Sequence, residues 1–179
     1  MSVLSSVFTI SPLSATEVGD HLLELGALLH ACVHDGASVG FVLPFSMDDG
    51  EAYWRSKVLP RVQEGCVVLL IARMECRIVG SVQLDYDTPP NQPHRAEVRK
   101  LLVHPDCRRR GIAKALMAAL EERAVALGRS LLTLDTRTGD HAEPLYTALG
   151  YRTAGIIPGY CRDPFEAKLD PTTVMYKAL

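Results

Sequence analysis

His104-Pro-Asp-Cys-Arg-Arg-Arg-Gly-Ile-Ala-Lys-Ala-Leu116 joins an apolar run, Val98 to Val103, to a segment with helical periodicity. The run reads as a strand, the next few residues as a tight turn, and Arg108-x-x-Gly111-x-Ala113 as the start of a helix. A turn of this kind leaves several backbone N–H groups unpaired at the positive end of a helix, which is a place for a diphosphate. Three consecutive arginines, Arg108, Arg109 and Arg110, lie beside it in a chain that is otherwise mildly acidic.

The 179 residues suit one domain, 1–179, with enough length to bury a sizeable core. Composition is that of an ordinary soluble protein, 47% hydrophobic and 22% charged. With a net charge of -2 there is no broad basic field for nucleic acid or an anionic membrane, so local basic charge points to a small anionic ligand. The five cysteines, Cys32, Cys66, Cys76, Cys107 and Cys161, are odd in number and form no C-x-x-C pair. That argues against a disulfide framework or a zinc knuckle and for a reducing, cytoplasmic setting. Met1-Ser-Val-Leu-Ser-Ser shows no signal-peptide pattern. The longest wholly apolar stretch, Cys66 to Ala72, is too short to span a bilayer.

Working outward, Val7 to Ile10 reads as a short strand. Ser14 to His34 reads as a helix, with Ser14 and Glu17 spaced as a capping box and Val18, Leu22, Leu25 and Leu29 on one face. Gly36 to Gly40 reads as a flexible loop, and Met47 to Gln63 as a second helix that ends or kinks near Pro60. Cys66 to Arg73 and Arg77 to Asp85 form a hairpin, and Ala96 to Val103 is a third apolar strand. Ile112 to Leu127 is an amphipathic helix closed by Gly128. Then come a strand, Ser130 to Asp135, a short helix, Ala142 to Leu149, and final strands at Tyr151 to Gly155 and Thr173 to Lys177. The sum is one α+β domain, a mixed sheet with helices on both faces.

These residues resemble the GNAT superfamily of acetyltransferases. Its hallmark, Arg/Gln-x-x-Gly-x-Gly/Ala between a strand and a helix, is matched by Arg108-Arg-Arg-Gly111-Ile-Ala113. Val103-x-Pro105 precedes the turn, Leu131-Leu-Thr-Leu134 follows the helix, and Ala142-x-x-x-Tyr146-x-x-x-Gly150-Tyr151 matches a further family segment. Four other stretches, Leu29 to Phe41, Arg95-Ala-Glu-Val98, Leu134-Asp-Thr136 and Pro158-Gly-Tyr-Cys161, are similar to the members that acetylate the amino group of a tabtoxin-like β-lactam toxin. The resemblance implies an acyl-CoA N-acyltransferase fold, with a mostly antiparallel sheet and a splayed strand pair that holds acetyl-CoA. It implies acetyl transfer to a small-molecule amine with no metal, and it leaves a homodimer open. Other readings are an acceptor that is a protein N-terminus, a polyamine or an aminoglycoside, or a CoA-binding sensor without turnover.

On this reading Arg108 to Lys114 cradle the diphosphate: Gly111 permits close approach, Ala113 keeps the helix slim, and Arg108, Arg109, Arg110 and Lys114 add positive charge around the Ile112 backbone. The resemblance assigns the backbone of Leu101, Leu102 and Val103 to the pantetheine arm and to polarising the thioester carbonyl. Aminolysis of a thioester needs a neutral amine. Glu97, on the face of Arg99 and Leu101 by strand alternation, and Asp135, at a strand's C-terminal end, are the candidate bases or amine binders. The alternatives are an ion pair of Glu97 with Arg95 or Arg99, and a capping role for Asp135. Tyr146 is the candidate general acid for the departing thiolate. Ser38, Phe41 and Tyr160 lie in the segments expected to shape the acceptor pocket. Many relatives carry Asn three residues before the helix alanine; here that position is Gly139, with Thr136 and Thr138 as nearby substitutes. Cys107 reads as incidental, and His30 with His34 as a polar helix face rather than a metal pair.

Overall fold

A computed structural model describes residues 8–179. Its strands are β1 (Phe8–Leu13), β2 (Val67–Met74), β3 (Arg77–Asp85), β4 (Arg95–Val103), β5 (Leu131–Arg137), β6 (Arg152–Arg162) and β7 (Leu169–Ala178). They form one sheet in the order β1-β2-β3-β4-β5-β7-β6. Every neighbouring pair is antiparallel except β4 and β5. A parallel pair needs a crossover, and helix α5 (Ile112–Ala126) supplies it.

The helices fall on the two faces because the strands alternate. Leu70 and Ala72 of β2, Leu84 of β3, Ala96 and Val98 of β4 and Leu132 and Leu134 of β5 face α5, whose stripe is Ile112, Leu116, Met117, Leu120 and Ala124. Leu69, Ile71 and Leu102 face α1 (Ala15–Asp20), α2 (Leu22–His34) and the Trp54 region. Each fully buried apolar side chain contributes about 1.5–3 kcal/mol, against about 0.2–1 kcal/mol for an exposed ion pair. The two stripes, not surface charge, therefore decide which face each helix covers. Among the described residues no helix is long and apolar enough to cross a membrane.

The first expected helix is two, α1 and α2, broken at His21; Ser14 and Glu17 do form the capping box. The second is α3 (Met47–Tyr53), a widened π-helical turn (Trp54–Val58) and α4 (Leu59–Gln63). The irregularity thus falls just before Pro60, which sits in the first turn of α4, where a missing N–H is tolerated. The first strand runs on to Leu13, and Val7 lies outside the described residues. The last two strands are much longer than expected. β6 is exposed along nearly its whole length, so no apolar alternation marks it. Helix α6 (Ala142–Ala148) lies between β5 and β6 in the chain.

One irregularity sets up the site. Ser81 pairs with Leu102 and Gln83 with Arg99, so β4 spends three residues where β3 spends two. The bulge centres on Lys100, whose backbone is left-handed at φ +51. It reverses the alternation: Ala96 and Val98 face α5, but beyond the bulge Leu102 faces α2 while Leu101 and Val103 turn toward α5. The expectation that Glu97 shares a face with Leu101 is therefore wrong, and Glu97 shares one with Arg99 and Leu102. The β4–β5 ladder covers Arg95 to Glu97 against Leu131 to Thr133 and stops there.

Candidate active site

From Val103 the chain enters a single 3₁₀ turn, Pro105–Cys107, where His104 Nδ1 accepts the Asp106 N–H at 3.3 Å. Arg109 (φ +62) and Gly111 (φ +82) then take left-handed backbones, and α5 starts with no side-chain cap. Its first-turn N–H groups accordingly have no side-chain acceptor. A Cβ on Gly111 would meet nothing within 4 Å, so the mouth of the turn is open and glycine is needed there for its φ. Ile112 is buried beneath, Ala113 is half-buried, and Arg109 and Lys114 are exposed. Such an end fits a diphosphate. The Arg108 guanidinium pairs with Asp35 at the end of α2 and donates through Nε to the Val103 carbonyl at 3.4 Å. Arg110 Nη2 reaches the Asp106 carbonyl at 3.4 Å.

Beside this turn β4 and β5 part, so the Leu101–Val103 backbone has no β5 ladder partner. Glu97 stands opposite Asp85. Buried Asp85 is gripped by Arg61 at 2.8 and 2.9 Å, and Arg99 bridges Glu97 (3.0 Å) and Asp85 (3.5 Å). The ion pair weighed for Glu97 is thus present, with Arg99. Asp135 is exposed and lies 3.2 Å from the Thr172 hydroxyl, which is closer to the Thr136 carbonyl at 2.9 Å. One hydroxyl proton serves one of these two acceptors. Tyr146 is buried edge-on against Tyr151, with ring centroids 5.7 Å apart. Burial, then the Asp135 and Asp140 charges, raise its phenol pKa well above the usual tyrosine range. Tyr146 and Asp135, from opposite faces of the sheet, are therefore within electrostatic reach of one another where the strands part.

The two segments expected to shape the acceptor pocket do meet: Ser38 Oγ lies 3.5 Å from Cys161 Sγ. Phe41 packs on Phe45 and Tyr53 at 4.7 and 5.2 Å between centroids. The Tyr160 side chain, by contrast, is exposed on outer strand β6. Gly139 donates its N–H to Glu143 at 2.7 Å, and Thr138 is taken up by Thr173 at 2.9 Å. Cys107 is buried. His30 and His34 stack at 3.9 Å, with His34 Nδ1 3.0 Å from the His30 carbonyl.

Sequence reasoning missed two cations here. Lys100 Nζ donates to the Val39 carbonyl at 2.6 Å, and Arg137 Nη2 to the Gly36 carbonyl at 3.1 Å. The available signals were a lysine inside the apolar run of β4 and an arginine two residues beyond Asp135, on its face.

The profile of the Acetyltransferase (GNAT) family matches residues 41–151. The chain belongs to that family. An uncharacterized N-acetyltransferase from the hisH-hisA intergenic region of Azospirillum brasilense is 31% identical to this GNAT protein over 138 residues, 76% of this chain and 79% of that one. Acetyltransferase ECA0875 of Pectobacterium atrosepticum is 38% identical over 91 residues, 50% of this chain and 61% of the relative. Among solved structures, yncA of Salmonella typhimurium, determined with its cofactor acetyl-CoA, superposes with a TM-score of 0.75 at 16% identity, covering 97% of this chain and 95% of that one. Aminoglycoside 6'-acetyltransferase type Ii gives 0.70 at 18% identity, covering 95% and 96%. At such identities the structures speak for the fold, and they establish the GNAT fold expected from the sequence. This GNAT protein is an acetyltransferase.

Proposed function

We propose that this acetyltransferase moves the acetyl group of acetyl-CoA directly to the amine of a small molecule. The observation that carries the reading is a juxtaposition: the uncapped, glycine-headed start of α5 adjoins the gap between β4 and β5, with Asp135 on one face and Tyr146 on the other. When bound, acetyl-CoA supplies an electrophilic thioester and a thiolate leaving group. The N–H groups from Gly111 to Lys114 hold the diphosphate. The freed Leu101–Val103 backbone pairs with the pantetheine arm and turns one N–H toward the thioester oxygen. Asp135 takes the proton from the acceptor ammonium, because the Glu97 carboxylate is already occupied by Arg99. Glu97 then helps to bind the amine, and Tyr146 protonates the departing thiolate.

The acids of the pocket are largely neutralised, Glu97 by Arg99 and Asp85 by Arg61. This suits an acceptor with one reacting amine, such as an amino-acid-like β-lactam toxin of the tabtoxin kind, better than a polyamine or an aminoglycoside. The test is thiol release from acetyl-CoA with glycine, L-lysine, spermidine, kanamycin and tabtoxinine-β-lactam as acceptors. Asp135→Asn is expected to lower kcat by about 10²-fold or more, and Glu97→Gln by less. A loss under about tenfold for Asp135→Asn would remove its assignment as the base. Tight acetyl-CoA binding with no transfer to any of these amines would favour a CoA-binding sensor.

A further inference from the structure

Two cations close to the acids have no part in the chemistry described above. Lys100 occupies the β4 bulge in a left-handed conformation that non-glycine residues rarely adopt. Its Nζ donates to the Val39 carbonyl at 2.6 Å and lies 5.6 Å from the ring centroids of both Phe41 and Tyr53. Burial and then Arg99 lower its pKa, while Asp135 and Glu97 pull the other way. Arg137 ends β5. Its Nη2 donates to the Gly36 carbonyl at 3.1 Å and to Asp140 at 3.2 Å, while Nη1 lies 3.4 Å from Asp163 and 3.7 Å from Asp170.

The strands bearing these cations separate beyond Glu97 and Thr133, so Lys100 and Arg137 stand on opposite lips of the gap. Both reach carbonyls of one short loop, three residues apart in the chain. The loop's own backbone bonds are Gly36 N–H to the Val33 carbonyl, Ala37 N–H to the Cys32 carbonyl and Val39 N–H to the Ala37 carbonyl, each 3.0 Å, and Ala37, Val39 and Phe41 pack against the core that holds α2. Hydrogen bonds from charged donors are about twice as strong as neutral ones. Side-chain cations from two strands thus add charged anchors, one from each side of the gap, to a segment that its sequence alone marks as flexible.

We propose that Lys100 and Arg137 are the positioning residues of the acceptor site, pinning residues 36–41 as a strap across the gap between β4 and β5. The strap fixes the wall against which an acceptor amine meets Asp135. This role rests on the acetyl-transfer reading, in which that gap holds the reacting thioester. Ser38 ties the outer side of the strap to Cys161, and Leu43 N–H ties its continuation to the Pro164 carbonyl at 3.0 Å.

Amide hydrogen exchange on the full chain tests the strap without turnover. Lys100→Met and Arg137→Gln should each raise exchange in residues 36–43 by about tenfold, with that of α5 changed by no more than about twofold. Arg137→Lys, which keeps a charged donor, should restore most of the protection. With whichever amine of the panel above gives the fastest thiol release, KM for the amine should rise about fivefold in the two disruptive variants, and KM for acetyl-CoA should stay within about twofold. Unchanged exchange in residues 36–43 overturns the proposal. So does an increase spread evenly over the chain, a loss that Arg137→Lys leaves in place, or a loosened strap with unchanged amine KM. Wild-type protein that releases no thiol with any amine would sink the acetyl-transfer reading instead, and the exchange result would still decide the strap.

Discussion

Tyr146 is buried among apolar side chains, and the carboxylates of Asp135 and Asp140 push its phenol in the same direction as burial does. A raised pKa means that the proton is retained as pH climbs through the ordinary tyrosine value of about 10. In the general-acid role proposed for it, the phenol is then loaded at neutral and mildly alkaline pH. Tyr146→Phe should lower kcat by about 10²-fold, and any alkaline limb of the kcat profile up to about pH 9.5 should keep its position. A limb that vanished in the variant would show the phenol titrating in that range. His104 gives a second prediction at this scale. Its Nδ1 accepts the Asp106 N–H just before the diphosphate turn, which requires a neutral imidazole nitrogen. Burial, with Arg77 and Arg108 adding to it against Asp106, lowers its pKa from 6.5. The folded value lies below the unfolded one, so this contribution to stability is complete above about pH 6.5 and is lost as pH falls through the folded value. Tm should drop on acidification from about pH 8 to 5, and drop less in His104→Asn; equal drops would clear His104. Single residues were legible where the chemistry is local. The pairing of Arg108 with Asp35 was not legible, because the two are 73 positions apart in the chain.

The elements show a similar division. Helical stripes such as Val18, Leu22, Leu25 and Leu29 repeat within one segment, so the sequence displays them, and all four are buried. The Lys100 bulge depends on how two strands pair, and the π-helical turn at Trp54–Val58 depends on packing, so neither has a local signature. The crossing of α2 and α3 is another feature of this kind. A Cβ on Gly50 would lie 2.7 Å from the Gly26 carbonyl oxygen, and one on Gly26 would lie 2.9 Å from the Glu51 nitrogen. Both obstacles are backbone and cannot rotate away. Gly50→Ala should therefore cost about 1–3 kcal/mol, lowering Tm by about 2–4 °C for each kcal/mol in a chain of this size. Thermal unfolding measures it, and an unchanged Tm would mean that the two helices separate freely.

At the scale of the molecule, the two cores lie on opposite faces of one sheet, whose strands β4 and β5 part beyond Glu97 and Thr133. The turn and helix start proposed to hold the diphosphate were readable as elements because they form a single contiguous stretch, 104–116. The proposed acceptor half draws on residues 36–41, 97–100, 135–137 and 158–170. The sequence suggested Glu97 and Asp135 and left Lys100 and Arg137 unmarked, since their partners are carbonyls of a distant loop. The strand order has a consequence for biosynthesis. Among the described strands β6 pairs with β7 alone, and β7 is made after it. A ribosome adds about 5–20 residues per second. Until Leu169–Ala178 has cleared the exit tunnel, the 11 residues of β6 have no sheet neighbour for their backbone N–H and C=O groups. A chain stalled before Leu169 would keep that edge unpaired.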